Sequence, residues 1–269
     1  MKKIIKSFIC SILSLATAAA VLSGCGGTDN NSSTAAASDL EYIKSKGTMV
    51  IGITEYAPMN YKEEGSAEWT GFDTEFAEKV AEKLGVKAEF FVLGDWGAKV
   101  NELNVKTIDC VWNGMTITEE LKTSMSISKP YVVNAQVIVC KESEKDKYSS
   151  IESIKDATIA VEQGSAAQEL VADYKNVTPC QNMAGTLLEV KTSAADVAII
   201  DITMANTMLG EGTAYADLTY TASLSEEQYG IGFRKGSDLC DAVNKIIDEL
   251  KADGTLAGLA EKYGLTLVD

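Results

Sequence analysis

From Thr48 to the C-terminus, short apolar strand-like segments alternate with helix-like segments, and this alternation constrains the fold more than any other feature of the chain. Residues 49–53 form an apolar strand candidate. Phe72, Phe76, Val80 and Leu84 then recur every four residues, with Ala77 and Ala81 alongside and Gly85 as a stop, which predicts a helix. Asp73 and Glu75 stand in its first turn, where the helix dipole favours acids. The pattern continues with strands at 86–92 and 107–112 around a helix at 97–103. Later strands are expected at 158–161, 197–200 and 229–233, and helices at 166–174, 185–192, 202–209, 238–251 and 256–263. In the helix at 238–251, Val243, Ile246, Ile247 and Leu250 make one apolar stripe. Such alternation predicts an α/β fold with parallel sheets. Two extended stretches, 131–140 and 222–233, interrupt it and suit a two-lobed protein whose chain crosses between lobes twice. A length of 269 residues accommodates two lobes of ordinary size, and 46% hydrophobic residues with only 3 prolines suit a packed core.

The chain contains no histidine. Ser–His and Cys–His nucleophilic catalysis, His-containing zinc sites and the commonest general base are therefore excluded. Acids outnumber bases 39 to 24, for a formal charge of −15, which argues against a nucleic-acid partner. Cys110, Cys140, Cys180 and Cys240 are widely spaced with no C-x-x-C pair, so neither a metal cluster nor a disulfide framework is expected. Spacing leaves open whether Cys140 and Cys180 pair.

The first residues have the composition of an export signal. Lys2, Lys3 and Lys6 precede an apolar run that ends Leu22-Ser23-Gly24-Cys25, with no stop-transfer cluster after it. This ending resembles the lipobox of bacterial lipoproteins, which implies cleavage of residues 1–24 and a diacylglycerol on Cys25. Removing three lysines and no acids takes the formal charge from −15 to −18. Residues 25–39 then form a Gly/Asn/Ser/Thr/Ala-rich tether. Acyl chains contribute about 0.8 kcal/mol per buried methylene, so two or more hold a protein on a membrane. The expected location is the outer face of the bacterial cytoplasmic membrane.

The body carries Gly71-Phe72-Asp73-Thr74-Glu75-Phe76, then Asn113-Gly114-Met115-Thr116-Ile117-Thr118, then Gln163-Gly164-Ser165. Ala195-Asp196 through Asp201 follows, then Gln228-Tyr229-Gly230-Ile231, and finally Asp253-Gly254-Thr255 with Tyr263-Gly264. In this order and spacing the chain, over about residues 40–265, resembles the family 3 extracellular solute-binding proteins, the polar amino-acid receptors of ABC importers. The resemblance implies a type II periplasmic-binding-protein-like fold: two α/β lobes, two extended hinge strands, and a ligand cleft between the lobes. Lobe one would comprise residues 40–130 and 230–269, lobe two residues 136–224, with hinges at 131–135 and 225–229. The G-F-D-T-E-F element is taken as scaffold, a helix start packing on its own lobe.

A zwitterionic amino acid requires donors for its carboxylate, acceptors for its ammonium and a shaped pocket for its side chain. By resemblance, the loops at Thr116 and Ser165 supply carboxylate donors, although each hydroxyl also suits a helix cap. Asp201, at the carboxyl end of the strand at 197–200, matches the family's ammonium-binding acid; on cap preference alone it suits the N-cap of the next helix. A backbone carbonyl near Asn113 or Gly114 would be a second ammonium acceptor. Tyr56 and Trp96 match positions where the family places aromatics on the ligand's side chain, and Glu55 and Glu162 flank them as selectivity residues. One departure stands out. The family usually places an arginine three residues after Thr118, and here the run is Thr118-Glu119-Glu120-Leu121-Lys122. Lys122 lies about 100° further round a helix. Backbone amides carry the carboxylate instead, or another cation substitutes, or the ligand is not an ordinary α-amino acid.

The expected function is a membrane-tethered, monomeric, cofactor-free component of an ABC importer that captures a small polar solute and delivers it to a permease. Two alternatives stand beside it. A prephenate/arogenate-type dehydratase resembles the same family and would reveal itself by prephenate loss, while a sensory lipoprotein would lack neighbouring permease and ATPase genes. For the anchor, Cys25→Ser is expected to release the protein from the membrane without unfolding its body, and continued lipid labelling of the variant would refute the lipobox assignment.

Overall fold

The computed structural model describes residues 38–269; the expected signal segment, Cys25 and the tether up to residue 37 lie outside the described residues. Ser38 already belongs to the folded body, not to a tether ending at residue 39. Its hydroxyl accepts from the Glu41 amide and caps helix α1 (Asp39–Lys46).

The first lobe continues through β1 (Thr48–Ile53), α2 (Phe72–Leu84), β2 (Lys87–Val92), a 3₁₀ turn at Trp96–Ala98, α3 (Lys99–Asn104), β3 (Cys110–Val111), α4 (Glu119–Ser124) and β4 (Met125–Ile127). The chain then crosses on β5 (Val132–Lys141) into a second lobe made of β6 (Ile159–Glu162), α5 (Ala166–Leu170), β7 (Val177–Cys180), α6 (Met183–Lys191), β8 (Val197–Asp201) and α7 (Ile202–Met208). It returns on β9 (Leu218–Tyr229) and completes the first lobe with β10 (Gly232–Arg234), α8 (Asp238–Ala252) and α9 (Thr255–Tyr263).

Each lobe has a five-stranded sheet, ordered β2-β1-β3-β10-β4 in the first and β7-β6-β8-β5-β9 in the second. The expectation of parallel sheets is corrected here, because both sheets are mixed. β1 runs parallel to β2 and β3, and β6 to β7 and β8, as helix crossovers require. β10 is antiparallel to β3 and β4, and β5 is antiparallel to β8 and β9. The strands that carry the chain between lobes follow the direction of the crossing, so they cannot all align with the helix-connected strands. β5 and β9 pair from Val132↔Tyr229 to Lys141↔Leu218, with register irregularities after Gln136 and after Val137.

Other boundaries also shift. The helix expected at 166–174 ends at Leu170, because Val171 turns into the core of the second lobe and the next amides bond three residues back. The ladder of β3 covers only two residues, although the Asp109 and Trp112 amides still reach β1 carbonyls at 2.7 and 3.1 Å. The stretch at 229–233 breaks at Gly230, where a side chain would meet Ile127 at 2.7 Å. Cys110, Cys140, Cys180 and Cys240 are all free thiols.

A buried charge cluster joins the two sequence-distant parts of the first lobe. Arg234 in β10 donates from Nε to Asp39 at 2.9 Å and from Nη1 to the carbonyls of Leu103 and Ile108 at 3.1 and 2.8 Å. Its Nη2 lies 3.6 Å from Asp109, whose other oxygen accepts from Lys46 and from the Val50 amide. Removing Arg234 leaves Asp39 and Asp109 buried without their guanidinium, with only Lys106 at 3.7 Å and the half-buried Lys46 remaining. Breaking a buried pair in this way costs about 3–5 kcal/mol. Arg234→Met is therefore expected to lower the unfolding free energy measured in urea by about that much, whereas Lys262→Met, which breaks a largely exposed pair with Glu75, leaves it nearly unchanged.

Candidate functional site

The cleft between the lobes is built from the ends of β1, β6 and β8 and the loops that follow them. Tyr56 heads the loop after β1, and the first amides of α2 hold that loop: Phe72 donates to the Pro58 carbonyl at 2.9 Å and Asp73 to the Met59 carbonyl at 3.0 Å. Asp73 Oδ2 in turn accepts from the Gly114 amide at 2.6 Å and the Tyr131 hydroxyl at 3.0 Å. The scaffold element G-F-D-T-E-F thus fixes both loops that reach the cleft. Gly114 has φ +56°, and a Cβ there would lie 2.7 Å from the Tyr56 ring, so only glycine fits. Asn113 beside it donates to Thr54 Oγ1 at 2.7 Å and accepts from Asn60 at 2.8 Å.

From the second lobe, Asp201 projects off the end of β8. Its side chain does not cap α7. Instead its carboxylate accepts from the Tyr56 and Tyr229 hydroxyls, each at 2.8 Å, and from the Gln136 amide. Gln136 also donates to Glu227 at 2.7 Å, which accepts from Thr116 Oγ1 at 2.8 Å. Burial raises the pKa of Asp201, and burial together with the Asp201 charge raises Glu227 to about 7. Burial and the Asp201 charge hold the Tyr56 and Tyr229 phenols far above their usual range, so they remain donors.

One cavity of about 30 Å³ collects Tyr56, Trp96, Asn113, Gly114, Thr116, Leu121, Glu162, Ser165 and Asp201. Glu55 is not among them; its side chain is exposed to solvent. Ser165 caps α5 through its hydroxyl, and its amide is already committed to the Glu162 carbonyl at 3.2 Å. The cavity holds roughly two water molecules. Entry of anything the size of an amino acid therefore requires the lobes to part. They meet through Gln163 donating to Asp95 at 3.1 Å and Gln181 donating to the Gly94 carbonyl at 3.1 Å. At the tightest point Gly164 has φ +72°, and a Cβ there would lie 2.4 Å from the Gly97 Cα.

Gln136, Lys99, Glu169 and Met183 line the cavity without having been expected from the sequence, whereas Glu162 lines it as expected. Gln136 is 2% exposed and Glu162 4% exposed, and Oε1 of each is buried without a hydrogen-bond partner. Burial and the Asp201 charge push Glu162 up to about 8. Lys99 is 4% exposed and lies 4.8 Å over the Trp96 ring; burial pulls its ammonium down to about 8, opposed by the Glu162 charge. Glu169 and Met183 complete this side. Two signals in the sequence point to such residues. Trp96, Lys99 and Leu103 share an i, i+3, i+7 face, and Asn134 and Gln136 are polar residues two apart in an apolar strand.

The model for bacterial extracellular solute-binding proteins, family 3, matches residues 49–266. The arginine-binding extracellular protein ArtP of Bacillus subtilis (strain 168) is 32% identical over 228 residues, covering 81% of this chain and 86% of ArtP. The L-cystine-binding protein TcyJ of Escherichia coli (strain K12) is 27% identical over 229 residues, covering 83% and 85%. Among solved structures, AncCDT-1, an ancestral amino acid-binding protein described as a precursor of cyclohexadienyl dehydratase, superposes with a TM-score of 0.76 at 30% identity, covering 84% of this chain and 99% of AncCDT-1.

The buried acids make stability depend on pH. Burial raises Asp73 to about 7 and Glu162 to about 8, so the folded protein holds protons that the unfolded chain has released above pH ~4.5. Stability accordingly falls as pH rises from ~5 to ~8, by up to about 1.4 kcal/mol per pH unit for each group. Calorimetric melting across this range is expected to show the decline, with a shallower slope for Asp73→Asn.

Proposed function

The chain belongs to the bacterial extracellular solute-binding proteins, family 3, and we propose that it captures an amino acid between its two lobes for delivery to an ABC permease. The observation that carries this proposal is the set of buried acceptors around one cavity. Glu162 Oε1 and Gln136 Oε1 lack partners beside the Asp201 carboxylate. A buried acceptor without a donor is costly, and a ligand ammonium supplies what is missing. Asp201 is assigned as the ammonium-binding acid, with a backbone carbonyl near Asn113 or Gly114 as second acceptor. The loops at Thr116 and Ser165 face the carboxylate, and Tyr56 and Trp96 wall in the side chain. Glu162 and Leu121 tune selectivity; Glu55, at the surface, has no part in this assignment.

Residues 131–135 and 225–229 act as hinges between lobe one (40–130 and 230–269) and lobe two (136–224). Ligand favours the closed state because only that state reaches it from both sides. The same proposal places a lipid anchor on Cys25 and the protein on the outer face of the cytoplasmic membrane. It assigns binding rather than catalysis, in keeping with relatives named as binding proteins.

A thermal-shift panel of the standard L-amino acids and L-cystine is expected to give at least one that raises the melting temperature. For that compound, calorimetry on Asp201→Asn is expected to show affinity lower by at least about tenfold, the worth of a charge-assisted hydrogen bond. A panel without any stabilising compound would overturn amino-acid capture, and unchanged affinity would remove Asp201 from the site.

A further inference from the structure

We propose that Lys99 holds the ligand carboxylate in this chain, in place of the arginine that is absent at position 121; the assignment rests on amino-acid capture. Lys99 opens α3 directly after the turn that carries Trp96. Lys99 and Leu121 line the cleft cavity together, and they also line the same outer groove with Gly164, Ser165 and Glu169. The lysine ammonium thus enters the wall of the cleft from which position 121 looks in. Lys122, next along the chain, takes no part: its ammonium pairs with Glu119 at 2.6 Å on the exposed side of α4.

The partners of Lys99 are incomplete. Nζ donates to the Trp96 carbonyl at 3.3 Å and, across the cleft, to the Gly164 carbonyl at 2.9 Å. The ion pairs among the described residues do not include it. Two neutral carbonyls leave the buried ammonium without a direct ion-pair partner and with one hydrogen over, and the acids around it act only from a distance. A desolvated charge is tolerated best when it is paired. A carboxylate at Thr116 and Thr118, both lining residues, supplies the counter-charge. Glu162 and Asp201 lie on the other lobe, so the cleft presents a cation on one side and acids on the other, matched to the two ends of a zwitterion. Because Gly164 belongs to the second lobe, Lys99 reaches its bonded position only as the lobes meet, which couples carboxylate recognition to closure.

The test compares acids with amides. The standard L-amino acids and L-cystine, each alongside its α-carboxamide, are titrated into the full chain and into Lys99→Met, Lys99→Gln and the double variant Lys99→Met/Leu121→Arg. The wild type is expected to prefer the acid that binds it over the carboxamide by about tenfold or more. Lys99→Met is expected to bring the two within about threefold while carboxamide binding persists, and the double variant to restore the preference by returning a cation to position 121. Lys99→Gln keeps a donor for the Gly164 carbonyl without the charge, and gives the same answer should the methionine variant fail to fold. A merely structural lysine would weaken acid and amide alike, and that result overturns the proposal, as does a wild type indifferent to the carboxamide. In those cases amino-acid capture still stands; if neither acids nor amides bind the wild type, both fall.

Discussion

Asp73 is the contact on which the geometry of the cleft depends. It stands in the first turn of α2, buried and without a countercharge, and its carboxylate receives the Gly114 amide and the Tyr131 hydroxyl. One side chain therefore ties a helix of the first lobe, a loop of the cleft and the residue at which the chain leaves for the second lobe. The aromatic packing follows the same line, with Phe72 stacked on Tyr131 and Phe76 edge-on to both Tyr131 and Trp112. Burying a carboxyl there is unfavourable, which is why its pKa rises, but the helix amides beside it and two strong donors offset part of the cost.

The cleft itself carries more buried acid than stability alone would allow. Asp201 and Glu227 share the Gln136 amide, Glu162 has an orphaned oxygen, and Lys99 is the cation in the lining. Replacing such groups by apolar ones usually leaves a protein as stable or more so. Their presence between two lobes is consistent with a site whose missing partners arrive from outside. The three acids also differ in their surroundings. Asp201 lines the cavity and accepts the Tyr56 and Tyr229 hydroxyls on one oxygen, Glu227 sits behind it on the crossing strand β9, and Glu162 lines the cavity with one oxygen unpaired.

How much of the fold and of the site is legible in the residues alone depends on the range of the interaction. The apolar repeat Phe72, Phe76, Val80, Leu84 and the stop at Gly85 define α2 to the residue, because both helix and cap are local. The stripe of Val243, Ile246, Ile247 and Leu250 defines α8 within a residue for the same reason. Strand direction departs from the expectation, since βαβ alternation says nothing of strands that join two lobes. β4 and β7 are absent from the expected strands, being short edge strands without alternation strong enough to announce them. Glu55 lies next to Tyr56 in sequence, yet the loop turns one into solvent and the other into the cleft.

The sequence by itself determined the order of helices and strands, the acidic and histidine-free chemistry, the places of the glycine-bearing loops and the family, because composition, short-range periodicity and motif spacing are written along the chain. Only the tertiary structure decided that Asp201 abandons a helix cap for Tyr56, Tyr229 and Gln136, which are remote from it in sequence. It alone brought Lys99 to the wall occupied by Leu121 and against Gly164 of the opposite lobe. These contacts join residues from different elements and different lobes. Their energies come from burial and from the geometry of closure, neither of which any local pattern of residues encodes.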